Sequence, residues 1–378
     1  MAFSAYLFLA LKGLVLLAVG LLGIGVLITI HELGHFLFCK LFGVGTPSFS
    51  IGFGPRILTK KIGETEFSIS ALPLGGYVEI AGNYEPGQGE QQHAAVEDDR
   101  SFMRKPFWQR ALIMAGGIIA NLLFAYIVFI KLFAIGMPPS PLLYPENVKT
   151  AAIGTVEKGG AAEKAGVLPG DVVVAVDGVE VKGNFSALLK QLEGRAQTNA
   201  RLVVERNQQR LELPIVLGGD KEGLAVGKLE VSFSFTFEPV PPLSFGEAFK
   251  RGVALTNRLF TGVFGAVKNM VVKRSTSGMG GPLLIIAEVA KSVSSGLPMF
   301  LLLLAFISVN LAALNLIPLP ILDGGQILVI AIEAVVRRPL PDKAKIAVAY
   351  GCWAVVLSLM LYLSIKDVIR AISWFFCW

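Results

Sequence analysis

Residues 25–35 of the chain read Gly25-Val26-Leu27-Ile28-Thr29-Ile30-His31-Glu32-Leu33-Gly34-His35. An uncharged apolar run thus leads directly into two histidines spaced four residues apart. On a helix His31 and His35 share one face, and Glu32 lies one residue round from the first histidine. Two imidazoles and a carboxylate at that spacing can hold a zinc ion and activate its water. The stretch therefore predicts hydrolytic zinc chemistry within or at the edge of a membrane.

The composition is that of an integral membrane protein. Of the 378 residues, 53% are hydrophobic and only 16% are charged, against about 25% charged in soluble proteins. The mean hydropathy is +0.64. The net charge of +6 comes from Lys and Arg that flank apolar runs and build no single basic face. The expected partner is therefore the lipid bilayer, with no nucleic acid.

Four segments are long and apolar enough to be transmembrane helices. They lie at about 5–38, 111–135, 298–316 and 347–365. The loops between the first and second spans and between the third and fourth spans are rich in Lys and Arg, so these loops are predicted to be cytoplasmic. The middle region and the C-terminus then lie on the outer side.

The first cytoplasmic loop is predicted to form strands. Residues 49–55 are followed by residues 64–77, which alternate polar and apolar side chains with a period of two. Two readings stay open. The hairpin could dip toward the membrane, where its exposed edges could pair with an extended peptide, or it could be a plain soluble hairpin.

The middle of the chain differs in composition from the rest. Asp177-Gly178 separates two β-branched runs and predicts a hairpin. Valine and leucine then repeat every four residues from Leu255 to Val271, with basic residues interspersed. This repeat favours an interfacial amphipathic helix, and the alternative is a helix packed on the soluble domain.

The predicted fold class is thus a membrane α-helical protein with about four transmembrane helices, a membrane-associated β-hairpin or sheet, and one extramembrane β-rich domain. Its predicted parts are 1–143 with two spans, 144–238 as the β-rich domain, 239–296 as an amphipathic connecting region, and 297–378 with two further spans.

A catalytic zinc ion needs a third protein ligand. Asp323 is the leading candidate, because acidic side chains at membrane depth are costly and are kept for function. It follows Pro318 and Pro320, which break the third span and let the carboxylate turn toward the zinc. Glu288 and Glu333 are competing candidates in less constrained settings.

Two asparagines in the third span are candidates for substrate binding. Asn310 and Asn315 lie five apart in an apolar helix, where a buried amide needs hydrogen-bond partners. A substrate backbone or the oxyanion of a tetrahedral intermediate could supply them. Hydrogen bonding between helices is the alternative.

These motifs together resemble those of the site-2 proteases, the M50-type intramembrane zinc metalloproteases, and specifically the bacterial RseP type with a single PDZ domain. The matching stretches follow one another in the family's order and are His31–His35, Phe49–Pro55, Pro73–Val78, Gly116–Asn121, Asn315–Pro320 and Leu322–Gly325.

The resemblance implies a zinc metalloendopeptidase that cleaves transmembrane segments in regulated intramembrane proteolysis. It implies Zn²⁺ on His31, His35 and Asp323, with Glu32 as general base. It further implies that strands near Gly75 and Gly76 pair with the unwound substrate.

The middle domain is similar to a PDZ domain, through residues 161–171. Its peptide-binding loop would include Gly223, Leu224, Ala225 and Val226. The resemblance implies single-span substrates already trimmed outside the membrane, of the anti-sigma-factor or remnant signal-peptide type. The implied location is the bacterial inner membrane, with the PDZ-like domain outside and the active site toward the cytoplasm.

Two other functions are compatible with the pattern. The first is a catalytically inactive scaffold in which the PDZ-like domain binds partners, although a scaffold needs neither Glu32 nor Asp323. The second is a metal or solute transporter, although four spans around one site leave little room for alternating access.

Overall fold

The computed structural model describes residues 2–83, 98–144, 147–182, 185–195, 197–218, 229–273, 281–338 and 340–376. The chain divides into two compact units. One comprises residues 1–132 and 245–378, and the other comprises residues 133–244. His93 and the predicted loop Gly223–Val226 lie outside the described residues.

The elements, numbered along the chain, are α1 (Ala2–Leu41), β1 (Ser48–Ile62), β2 (Thr65–Val78), α2 (Phe107–Ile135), β3 (Val148–Val156), α3 (Ala161–Lys164), β4 (Val172–Val176), β5 (Val179–Glu180), α4 (Phe185–Leu192), β6 (Asn199–Arg206), β7 (Gln209–Val216), β8 (Val231–Phe237), α5 (Phe245–Lys273), α6 (Pro282–Ser294), α7 (Leu297–Asn315), α8 (Asp323–Val336) and α9 (Asp342–Phe376).

Four helices of the first unit have the length and apolar character of membrane spans. Within the described residues, these segments are Gly13–Leu41, Phe107–Ile135, Leu297–Asn315 and Lys345–Ile369. Each overlaps one of the predicted spans, so the predicted membrane-helical fold with added sheets is confirmed at this level. Long uncharged runs are read reliably from sequence because a helix needs about 20 apolar residues to cross the hydrocarbon.

The predicted hairpin is present and is longer than expected. β1 and β2 are antiparallel and are joined by a tight turn at Gly63, which has φ of 61°. Phe49 of β1 pairs with both Phe67 and Val78, so β2 folds back along β1. Phe36 of α1 packs edge-on against both phenylalanine rings. This packing holds the hairpin against the C-terminal half of α1.

The segment after the β-rich part forms two helices in the same unit as the spans. α5 packs against α7, and α6 packs against α1, α7 and α9. The approach of α6 to α1 is close, because a Cβ on Gly20 would lie 3.3 Å from the backbone nitrogen of Ala290. An interfacial position for α5 remains a prediction.

The second unit is built on one antiparallel sheet. Its strand order is β7-β6-β4-β3-β8, and the short β5 pairs with β4. Asp177 and Gly178 both have positive φ, 48° and 82°, as a two-residue hairpin turn with the twist of its strands requires. Val176 and Val204 are fully buried in one core cluster with Leu188 and Leu192 of α4. The unit is β-rich, as predicted.

Candidate metal centre

Three side chains from two helices converge in the first unit. His31 and His35 lie one turn apart on α1, and Asp323 is the first residue of α8. His31 Nε2 lies 3.2 Å from Asp323 Oδ2, and His35 Nε2 lies 3.6 Å from Asp323 Oδ1. The two Nε2 atoms are 3.2 Å apart. Each residue thus offers one donor atom, and all three atoms lie within 4.8 Å of one another.

The break between α7 and α8 places Asp323. α7 ends at Asn315, and the segment with Pro318 and Pro320 turns the chain before α8 begins. The turn is so tight that a Cβ on Gly324 would lie 2.3 Å from Leu316 O, and one on Gly325 would lie 2.0 Å from Leu319 O. Only glycine fits at these two positions. The two glycines after Asp323 therefore help to orient its carboxylate.

Glycines of α2 bring a third helix against the histidines. A Cβ on Gly116 would lie 2.7 Å from Gly34 O, so the backbones of α1 and α2 are in direct contact. A Cβ on Gly117 would lie 2.4 Å from His31 Cε1 and 2.6 Å from His35 Nε2. Small residues allow such close approach between helices in membranes. Gly117 therefore forms a wall of the site, a role that the sequence analysis did not assign.

The second ring nitrogen of each histidine is held by α2. His35 Nδ1 lies 2.8 Å from Ile113 O. A carbonyl only accepts, so this bond places the proton on Nδ1 and leaves the Nε2 lone pair facing the cluster. His31 Nδ1 lies 3.3 Å from the side-chain amide of Asn121. The sequence signal for Asn121 is a carboxamide in the middle of an apolar span, which needs a partner there.

Glu32 is buried beside the histidines and contacts the hairpin. Only 9% of it is exposed, and its Oε2 accepts a hydrogen bond of 3.2 Å from Val78 N at the end of β2. Gly75 and Gly76 lie just before this contact in the same strand. Gly75 has φ of 96°, and a Cβ on Gly76 would lie 2.7 Å from Ser50 O. The β2 segment with these glycines therefore ends directly at the motif.

The two asparagines of α7 differ in position. Asn315 Nδ2 lies 3.4 Å from His31 Nε2, so its amide borders the cluster. Asn310 Nδ2 donates instead to Phe306 O at 2.7 Å, one turn earlier in its own helix. Residues five apart on a helix point about 140° away from each other. The structure thus brings Asn315 to the site and leaves Asn310 bonded within α7.

The competing acidic residues are engaged or placed elsewhere. Glu333 pairs with Lys345 Nζ at 2.6 Å and with Arg110 Nη1 at 3.4 Å. Glu288 is exposed on α6. Among the described residues, only His31, His35 and Asp323 form a group with the spacing of metal ligands.

The donor set fits a divalent cation such as zinc. Neutral imidazole nitrogens and a carboxylate oxygen are ligands that zinc takes in proteins. Asp323 Oδ2 is buried, and apart from His31 Nε2 at 3.2 Å it has no polar partner within the described part of the chain. A buried carboxylate oxygen of this kind needs a cation or a hydrogen-bond donor. Such a site, built on apolar helices beside a buried glutamate, defines a membrane-embedded metal-dependent hydrolase.

The chain belongs to peptidase family M50, whose sequence profile matches residues 19–359. Relatives named "putative zinc metalloprotease" occur in Agrobacterium fabrum, 32% identical over 92% of this chain and 94% of theirs, and in Synechocystis, 33% identical over 94% of both chains. The chloroplast membrane metalloprotease ARASP of Arabidopsis thaliana is 30% identical over 90% of this chain and 76% of its own. The predicted resemblance is confirmed, and the chain is a membrane-associated zinc metalloprotease.

Proposed function

We propose that this protein is an intramembrane endopeptidase that hydrolyses peptide bonds in the transmembrane segments of single-span membrane proteins. The observation that carries the proposal is the position of the donor cluster. His31 and His35 lie inside a helix of spanning length, and Asp323 follows the end of another such helix. A protease whose ligands come from membrane helices is suited to substrates that are themselves in the membrane.

His31, His35 and Asp323 would hold the zinc ion, which when bound supplies a Lewis acid that makes water acidic enough to ionise near neutral pH. Glu32 accepts the proton of the attacking water and later passes it to the leaving amine. Val78 N holds the Glu32 carboxylate in place through its hydrogen bond. Asn315 borders the cluster and would donate from Nδ2 to the substrate carbonyl as negative charge develops on it.

A helical substrate must unwind before it is cut, because its own hydrogen bonds cover its carbonyl groups. The β2 segment around Gly75 and Gly76 would pair with the unwound stretch as an added strand. Support comes from the Val78 N–Glu32 hydrogen bond, which ties the end of this strand to the catalytic motif.

The second unit would be a PDZ-like domain on the extracytoplasmic side of a bacterial inner membrane, with the active site toward the cytoplasm. The basic loops between spans support this orientation. Substrates would be membrane proteins that have already lost most of their outer part, of the anti-sigma-factor or remnant signal-peptide type, in regulated intramembrane proteolysis.

The substitution Glu32→Gln tests the function. It keeps size and polarity but removes the base, so zinc should stay bound while cleavage falls by about 10²–10⁴-fold. Zinc content and cleavage of a tagged single-span protein are measured on the same purified preparation. Glu288→Gln is the matched control, because this carboxylate is exposed on α6, and it should leave both unchanged. Cleavage at the normal rate by the Glu32→Gln protein would refute the base assignment.

A further inference from the structure

Asn121 is a buried polar side chain beside the metal site with one half of its amide unused. It lies in α2 and is fully buried. Its Nδ2 is 3.3 Å from His31 Nδ1, and its Oδ1 makes no hydrogen bond within the described residues. Leaving such a buried acceptor unbonded is unfavourable. A state of the protein in which Oδ1 is used is therefore expected.

The hydrogen bond between His35 and Ile113 shows how a histidine is held when its Nε2 lone pair faces the cluster. Ile113 O accepts from His35 Nδ1 at 2.8 Å, so the free lone pair of this ring is on Nε2, toward the cluster. His31 must meet the same condition if it is to bind a metal through Nε2, because its proton then sits on Nδ1. A donor next to Nδ1 would oppose that arrangement, and an acceptor would favour it.

We propose that Asn121 is a positioning residue for His31, with its amide turned so that Oδ1 accepts from Nδ1–H and Nε2 presents its lone pair to the zinc. The two ends of a carboxamide are similar in size, so a half-turn exchanges them without displacing neighbours. The turn replaces a donor by an acceptor at Nδ1, and Nδ2 takes the place that Oδ1 leaves. This inference rests on the proposed role of His31 as a ligand.

The backbone of Asn121 is anchored independently of its side chain. Ser308 Oγ of α7 donates to Asn121 O at 2.9 Å, and Ser308 is itself fully buried. This bond engages the backbone of Asn121 and leaves its side-chain amide free to turn. The backbone of Gly117 also lies beside the His31 ring, so its carbonyl is a second candidate acceptor. Experiment must show whether the Gly117 carbonyl alone is enough to hold the proton on His31 Nδ1.

The test compares zinc affinities of full-length variants in detergent, by competition with a chelator at fixed pH. Asn121→Leu removes both amide ends, keeps the branched heavy-atom skeleton and should weaken zinc binding by about 10–100-fold. Asn121→Asp keeps an acceptor in either orientation and should bind zinc at least as tightly as the wild type. Ser308→Ala disturbs the same helix contact without touching the amide and should leave the affinity unchanged. Thermal unfolding of the zinc-free proteins shows whether each variant is folded.

Two results would overturn the proposal. Wild-type affinity in Asn121→Leu would mean that the Gly117 carbonyl suffices. Equal weakening in Asn121→Leu and Asn121→Asp would mean that packing, and not an acceptor, is what matters. If Asn121→Leu does not fold, Asn121→Ser and Asn121→Ala replace it, since they leave similar space and only serine can accept. His35→Ala serves as a separate check, because zinc retained in that variant would refute the ligand assignment and not the role of Asn121.

Discussion

At the residue scale, the site depends as much on absent side chains as on present ones. His31 and His35 can approach Asp323 because Gly117 has no Cβ to fill the same space. The neighbouring helix then supplies an acceptor to the Nδ1 of His35 without moving away. The positions of the two histidines therefore depend on the glycine that faces them.

Gly117→Ala should reduce zinc affinity by about tenfold or more, because the added methyl would lie 2.6 Å or less from ring atoms of both histidines. Affinity is measured by chelator competition on the purified protein. Gly351→Ala is the matched control, since a Cβ at this glycine of the fourth span meets nothing within 4 Å. Equal zinc binding by both variants would show that the histidines can move without loss.

Local sequence patterns contained part of this site. The spacing of His31 and His35 and the rarity of an acid such as Asp323 beside an apolar segment could be recognised directly. Asn121 and the backbone nitrogen of Val78 could not be assigned, because their contacts join residues 90 and 46 positions apart. Local periodicity carries no information about such pairs. The sequence grouped Asn310 with Asn315 for substrate binding, but only Asn315 borders the cluster, because five residues do not return to the same helix face.

At the element scale, helix breaks and strand ends deliver the functional groups. The turn after α7 delivers Asp323, and the end of β2 delivers Val78 N to Glu32. Both features have local sequence signals. Prolines and glycines mark the turn after α7, and a period of two marks β2. The length of β1 and the fold-back of β2 have no such local signal, because strand pairing is settled by contacts across the sheet.

In the second unit, one buried ion pair joins the sheet to the turn before β4. Asp171 is 1% exposed and accepts from Arg206 Nε at 2.7 Å, from Arg206 Nη2 at 2.8 Å and from Leu168 N at 2.9 Å. Burial favours the neutral acid, but the hydrogen bonds from Arg206 and Leu168 outweigh it and lower the pKa of Asp171. The ionised form is therefore the one that stabilises the fold.

Because the folded-state pKa of Asp171 is lowered, its contribution is complete above the unfolded pKa of about 3.9 and is lost as the pH falls below that value. Asp171→Asn should lower the local free energy of unfolding at neutral pH by about 2–3 kcal/mol. Hydrogen exchange of the amides in β4 and β6 of the full chain measures this. Glu180→Gln, at an exposed pair with Arg210, should change it by less than about 1 kcal/mol. Equal effects of the two variants would contradict the account.

At the scale of the whole molecule, an apolar helical unit carries the chemistry and a β-rich unit is inserted between its halves. The chain returns to the first unit at residue 245 after leaving it at residue 132. The ligand pair and the third ligand thus come from opposite sides of the insertion. Co-expression of the complete chain with its substrates is the appropriate test of specificity.

Substrates cut short outside the membrane should be cleaved, and the same substrates with a folded outer domain should not. Two tagged forms of one single-span protein are co-expressed with the protease, and their fragments are compared on blots. The Glu32→Gln protease provides the background, since it should yield no fragment from either form. Cleavage of both forms to the same extent would contradict the requirement for prior trimming.

The central claim is that one zinc ion is held by His31, His35 and Asp323, and X-ray absorption at the zinc edge of the purified protein tests it most directly. The account predicts one zinc per chain with nitrogen and oxygen donors and no sulfur, and loss of that zinc in His35→Ala and Asp323→Ala. Cys39 lies one turn beyond His35 on α1 and outside the donor group, so no sulfur signal is expected. A sulfur donor in the spectrum, or unchanged zinc in either variant, would contradict the account.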